Sequence, residues 1–234
     1  IQAYYAVRNP EKSWSASLRA VALSALHYLR PLARSVLGAS AGLKGNGMVF
    51  SADIIRRYHW SASLTEDIEY HMSLILDNHR VTFAPDALVW AEMPNSLAGS
   101  QTQNARWERG RQEMLRRYMP QLVYLGIKHK SFLLLDAAIE QLIPPFSVLA
   151  AISFLCYVLA FALQSTVGLW LAFALILGQS IYICAGLVIS NAPRRVYQSL
   201  LYAPVFILWK SLLYLRVMIG YNERSWIRTA RNDT

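Results

Sequence analysis

The sequence lacks charge over one long stretch: from Gln141 through Pro193 there is no Asp, Glu, Lys or Arg. A charged side chain at the centre of a bilayer costs roughly 3 kcal/mol, so such a gap is what a membrane requires and what a soluble core rarely needs. Cysteine is nearly absent. The two that exist, Cys156 and Cys184, fall inside the uncharged stretch. A thiol there acts as a small hydrophobe, and neither a disulfide framework nor a zinc site is indicated. Acidic residues are few, 14 against 23 Lys and Arg. There is also no initiator Met, and Ile1 to Val7 alternates like a strand already under way, so the chain reads as the C-terminal portion of something longer.

What is present divides at about residue 130. With 55% hydrophobic and 16% charged residues, the chain is too apolar for an ordinary soluble domain and reads as an integral membrane protein. A basic, water-facing α/β segment, 1–130, precedes a membrane region, 131–234. Spans are expected near 142–163 and 167–189, each about the 20 apolar residues a crossing needs, with Gln164, Ser165 and Thr166 as the turn. Lys128 and Lys130 before the first span, and Arg194 and Arg195 after the second, place both flanks in the cytoplasm. That makes a multi-pass protein of the plasma (inner) membrane. Residues 197–221 are apolar but contain Pro204, Lys210 and Arg216, which favours an interfacial helix over a third crossing. The net charge of +9 is assigned to anionic headgroups, with the lipid bilayer as partner and no nucleic acid.

Within 1–130 short strands alternate with helices, which predicts an α/β fold with a mostly parallel sheet. After a strand at Ile1–Val7, a helix is expected to enter at Asn9-Pro10-Glu11 and stop before Gly38. A glycine-interrupted loop, Gly42-Leu-Lys-Gly-Asn-Gly47, precedes a short strand at Met48–Phe50. Ser63-Leu-Thr-Glu66 fits a capping box for a helix buried through Ile68, Met72, Ile75 and Leu76. Val81–Ala84 and Ala87–Ala91 are two strand candidates around Pro85, and a long polar helix follows from about Ser96 to Tyr118.

Two groups of residues can carry chemistry. Glu66 and Asp67 lie in the first turn of a helix, where the dipole favours an ionised carboxylate that could serve as a general base; the same residues are ordinary helix starters. Gln103, Arg106 and Trp107 share one helical face. Their amide and guanidinium suit a diphosphate and the indole offers a platform for a sugar ring; a helix lying on a membrane surface would also carry Arg and Trp. His59, His71 and His79 lack zinc spacing and are expected on solvated surfaces.

Thr65-Glu-Asp67, then Gln103-Asn-Ala-Arg106-Trp107, then paired membrane helices resemble the C-terminal half of a processive family 2 glycosyltransferase, the group of cellulose, chitin, hyaluronan and poly-N-acetylglucosamine synthases. Gly45-Asn-Gly-Met48, Ala91-Glu-Met-Pro94 and the closing Trp226-Ile-Arg-Thr229-Ala-Arg231 extend the resemblance over essentially the whole chain. It implies the C-terminal part of a GT-A (Rossmann-like) domain followed by transmembrane and interfacial helices. The implied activity is transfer of a sugar from a nucleotide-sugar, a UDP-sugar, to a growing β-linked polysaccharide with coupled export. Asp67 matches the base, Gln103 and Arg106 the contacts to the donor diphosphate, and Trp107 the acceptor platform. Trp226, Thr229 and Arg231 match a segment that covers the nucleotide. The family also uses Mg²⁺ or Mn²⁺ held by an Asp-x-Asp pair, and none occurs here, since Asp53 and Asp86 are lone; those ligands are expected upstream and the fragment alone is expected to be inactive. A non-processive lipid glycosyltransferase and a catalytically inactive membrane scaffold are the alternatives.

Overall fold

The computed structural model describes residues 1–220. It is mostly helical, with one two-stranded parallel sheet rather than the larger sheet that the strand count suggests. Strand β1, Gln2–Val7, pairs with β2, Phe83–Ala91. The two strands expected around Pro85 are this single β2. Its register jumps from Ala3↔Ala84 to Tyr4↔Leu88, so Pro85, Asp86 and Ala87 bulge out and the missing proline N–H costs no ladder bond. Met48–Phe50 forms no strand; Met48 makes only an isolated antiparallel bridge to Gln2.

Ser13, not the Asn9–Glu11 segment, starts the first helix by accepting from the Ala16 N–H. Helix α1, Trp14–Leu23, runs through a π-helical turn at Ser24–Leu29 into α2, Arg30–Val36, and Gly38 ends it at φ +78. A short helix α3, Ala52–Arg57, has no apolar stripe to announce it. Helix α4 is Glu66–Leu76. Its N-cap is Thr65 and not Ser63, which bonds to Ser61 instead, so the expected capping box is absent. Helix α5, Gln101–Lys128, begins five residues later and runs ten residues further than its polar pattern suggests.

The membrane part also departs from the expected plan. Residues before the first expected span form their own helix, α6, Phe132–Leu142, broken from α7, Phe146–Ala162, by Pro144-Pro145 with a 68° bend. Helix α8 is Thr166–Ile189. After α9, Arg194–Gln198, and a 3₁₀ turn comes α10, Ala203–Met218. By length and composition Thr166–Ile189 and Arg194–Met218 can each cross a membrane, and the bent α6–α7 pair can make a third crossing. The interfacial reading of 197–221 rested on Pro204, Lys210 and Arg216, but Pro204 falls in the first turn of α10 and Lys210 is turned inward and paired. Outward stand Leu201, Val205, Leu208, Leu212, Leu215 and Ile219, one apolar stripe at helical spacing. Helices α7 and α8 expose apolar side chains along most of their length and share a polar contact, Gln179 Nε2 donating to Ser153 Oγ at 2.7 Å. In hydrocarbon such a bond has no competing water.

The N-terminal segment and the apolar C-terminal helices share cores. Leu18 and Val21 of α1 pack with Leu187 of α8 and Val196 of α9. Met72 and Ile75 of α4 pack with Met114, Tyr118 and Leu122 of α5 and Leu133 and Ala137 of α6. Arg34 of α2, only 7% exposed, is ion-paired with Asp136 and Glu140 of α6. Removing one member of a buried ionic cluster strands the others. Arg34→Ala is therefore expected to destabilise the folded protein by about 3 kcal/mol, read as a clear drop in melting temperature in detergent; unchanged melting would show that the two carboxylates are solvated.

Candidate functional site

Asp67 lies in the first turn of α4, half-buried, with its Oδ1 accepting from the Ile68 N–H at 2.9 Å. Burial is the largest influence and holds its pKa above the ordinary carboxylate value; Glu66 pushes the same way, while the Ile68 N–H and Lys44 oppose. The dipole argument from sequence foresaw an ionised group. The structure adds desolvation, which makes that group a better proton acceptor. Glu66 beside it is exposed.

The floor under Asp67 is the glycine loop. Gly45 has φ +73, and a Cβ there would stand 3.3 Å from Asp67 Oδ2. Only glycine takes this conformation cheaply and leaves the carboxylate its room. Gln2, fully buried, fixes the loop by accepting from the Lys44 N–H at 2.9 Å and donating to the Asn46 carbonyl at 2.8 Å. Lys44 was not singled out from sequence, although its place between Gly42 and Gly45 is a signal. Burial, then Arg30 and Arg34, push its pKa down to about 7, against the pull of Asp67. His71 is not on the surface as expected: it is 3% exposed. Ser40 Oγ lies 2.8 Å from His71 Nε2 and also accepts the Val81 N–H. Burial lowers the His71 pKa to about 3, so the ring is neutral and one proton is shared between it and the Ser40 hydroxyl.

The second motif lies on α5. Gln103, Arg106, Trp107 and Gly110 fall on one side of the helix at 3.6 residues per turn. That side meets the start of α4, because a Cβ on Gly110 would sit 2.3 Å from Thr65 Cγ2. The two sequence motifs are thus joined at Thr65 and Gly110, with Gln103 about 10 Å further along the α5 axis. Gln103 Oε1 is buried with no hydrogen-bond partner among the described residues, and Trp107 is 37% exposed. Glu69, two residues after Asp67, secures the other end of the junction through Arg117 at 2.5 Å and Tyr118 at 3.4 Å. Trp226, Thr229 and Arg231 lie outside the described residues.

A cleft of about 1010 Å³ opens at the carboxyl ends of β1 and β2, lined by Arg8, Tyr28, Trp90 and Asn191 among others, but by none of the predicted site residues. Its carboxylates are Glu11, which pairs with Arg195 at 3.7 Å, and exposed Glu92. Neither has the desolvated setting of Asp67, so the candidate chemistry stays at the junction of α4 and α5. Among the described residues no group of three His, Cys, Asp or Glu can hold a metal ion.

No curated protein matches the chain. The family model described as glycosyl transferase family group 2 matches residues 1–221, almost the whole sequence. Together with the joined Thr65–Asp67 and Gln103–Trp107 motifs, that match makes this chain a member of the family 2 glycosyltransferases.

Proposed function

We propose that the chain carries the base and donor-contacting part of a membrane-embedded inverting glycosyltransferase. It acts on a nucleotide-sugar, in our reading a UDP-sugar, and extends a β-linked polysaccharide that leaves through the same protein's membrane helices. The observation that carries this reading is Asp67, a desolvated carboxylate with raised proton affinity, set on glycine backbone and docked through Thr65 against the helix bearing Gln103, Arg106 and Trp107.

In this mechanism Asp67 takes the proton of an acceptor hydroxyl while that oxygen attacks the anomeric carbon. The bond to the diphosphate breaks on the opposite face, the nucleoside diphosphate leaves with the bonding pair, and an α-linked donor gives a β-linkage. Gln103 and Arg106 hold the diphosphate, a task suited to an amide and a forked guanidinium. Trp107 offers its indole face to the acceptor sugar. The Mg²⁺ or Mn²⁺ that the resemblance implies finds no fitting ligand set: the sequence has no Asp-x-Asp pair and the described residues hold no cluster for it. No step here is assigned to such an ion. The GT-A domain sits in the cytoplasm against the inner face of the plasma membrane.

The test is nucleotide release by the full-length protein in nanodiscs across a panel of nucleotide-sugars, with sizing of any glycan. Release with one donor and a lengthening glycan is expected. A single-sugar lipid product would replace the polymerase with a lipid glycosyltransferase, and absence of both nucleotide binding and release would favour the inactive scaffold.

The pH dependence has a definite sign. Asp67 must be unprotonated, so kcat/KM is expected to rise through an acid limb set above the usual carboxylate range. Lys44, still protonated below its pKa of about 7, holds that limb down by stabilising the Asp67 anion. In Lys44→Met the limb moves to higher pH. A limb that stays put would show that Lys44 and Asp67 do not sense each other.

A further inference from the structure

A second flank of α5, beside the one that carries the motif, is gripped by the membrane helices. Lys210 of α10 is 8% exposed and Glu108 of α5 is 6% exposed. The Lys210 ammonium donates to Asn104 Oδ1 at 2.7 Å and pairs with Glu108 Oε1 at 2.8 Å. The other oxygen of Glu108 faces Arg111 Nε at 4.0 Å, and Arg111 donates to the Ile143 carbonyl at 2.6 Å. Ile143 is the residue at which α6 stops, just before the bend into α7. Around these bonds Ala105 packs with Leu213 and Val217 of α10. At 100° per residue, Asn104, Glu108 and Arg111 centre roughly 130° around the helix from Gln103, Arg106 and Gly110, with Trp107 between the two sets. One helix therefore presents its motif on one flank and is fastened to two membrane elements on another.

We infer that the Lys210–Glu108 pair is a positioning device that sets the rotation of α5, so that the membrane helices determine how Gln103 and Arg106 meet the donor; this rests on the glycosyltransferase reading above. A buried ion pair is weak evidence of stability in itself, since apolar replacements often serve as well. Its value lies in direction. The lysine reaches one amide and one carboxylate a single turn apart on α5, which fixes the helix about its own axis, whereas the surrounding Ala, Leu and Val contacts tolerate rotation. Neither residue touches the proposed substrate, and neither is offered as catalytic.

The experiment compares wild type, Glu108→Gln, Lys210→Met and the double variant in the full-length protein in nanodiscs. Donor KM, kcat and melting temperature are measured. Each single variant is expected to raise donor KM about tenfold, the factor that 1.4 kcal/mol of lost binding produces, and to lower the melting temperature. The double variant is expected to recover melting, because no buried charge is left alone, while KM stays raised. Recovery of both melting and KM in the double variant would overturn the inference by showing a purely structural pair. Singles with unaltered KM would overturn it as well. Failure of the wild type to bind or turn over any nucleotide-sugar would instead sink the glycosyltransferase reading, and this inference with it.

Discussion

Asp67→Asn in the full-length protein is expected to cut nucleotide release by about 10²- to 10⁴-fold, the usual contribution of a positioned proton acceptor, with nucleotide binding unchanged. The substitution is close to isosteric and its amide oxygen still accepts the Ile68 N–H that now bonds Oδ1 at 2.9 Å. Folding and donor contacts on α5 are therefore left in place, and only the proton acceptor is removed. Measured as kcat under saturating donor, retention of more than about a tenth of wild-type turnover would transfer the base role to another group, since a lost general base costs at least about 10²-fold. Asp67→Glu separates position from charge. It keeps a carboxylate but carries it one methylene away from the place that Asp67 holds beside Gly45, so a loss of similar size is expected there too.

Gly110→Ala is the second large effect, and its two physical contributions oppose each other. Within a long helix, glycine is worse than alanine by roughly 1 kcal/mol, so the change favours α5 taken alone. The added Cβ, however, falls 2.3 Å from Thr65 Cγ2 and 3.0 Å from Thr65 Cβ. Thr65 is buried at the turn that starts α4, so the start of α4 must move away from the motif helix. A displacement of about 1 Å between catalytic and binding groups costs about 10²-fold in rate. Turnover is expected to fall by that order while helix content by circular dichroism holds or rises. Thr65→Gly placed on top of Gly110→Ala clears the overlap and is expected to return part of the rate. Normal turnover in Gly110→Ala would mean that the motifs do not work through this contact.

Much of the placement of the candidate site residues was legible in the sequence because it rests on local chemistry. Asp67 falls in the first turn of a helix, and Gln103, Arg106 and Trp107 share a face of another, as spacing alone predicts. Their meeting at Thr65 and Gly110 was not legible, since a glycine inside a helix announces no partner. The capping box failed because Ser63 bonds to Ser61 and the helix starts two residues later, at Thr65, so a local turn overrode the expected cap. His71 read as a surface residue because an isolated histidine carries no sign of a buried serine 31 positions earlier in the chain. Lys210 was taken as a charge seeking water, when Glu108 and Asn104 satisfy it. The uncharged stretch fixed the apolar region correctly but not its division. Pro144-Pro145 gave the break, which hydropathy alone passes over.

The shared cores also bear on how the protein can be handled. The composition changes near residue 130, yet Tyr182 of α8 donates to the Ala25 carbonyl at 3.2 Å, and Gly186 lets the backbone of Ala25 approach its own. Helix α6 supplies part of the packing under α4 and α5. A truncation at residue 130 would bare those faces of α1, α4 and α5. The segment bearing Asp67 and the helices that follow it thus form a single cooperative unit, to be extracted and reconstituted whole.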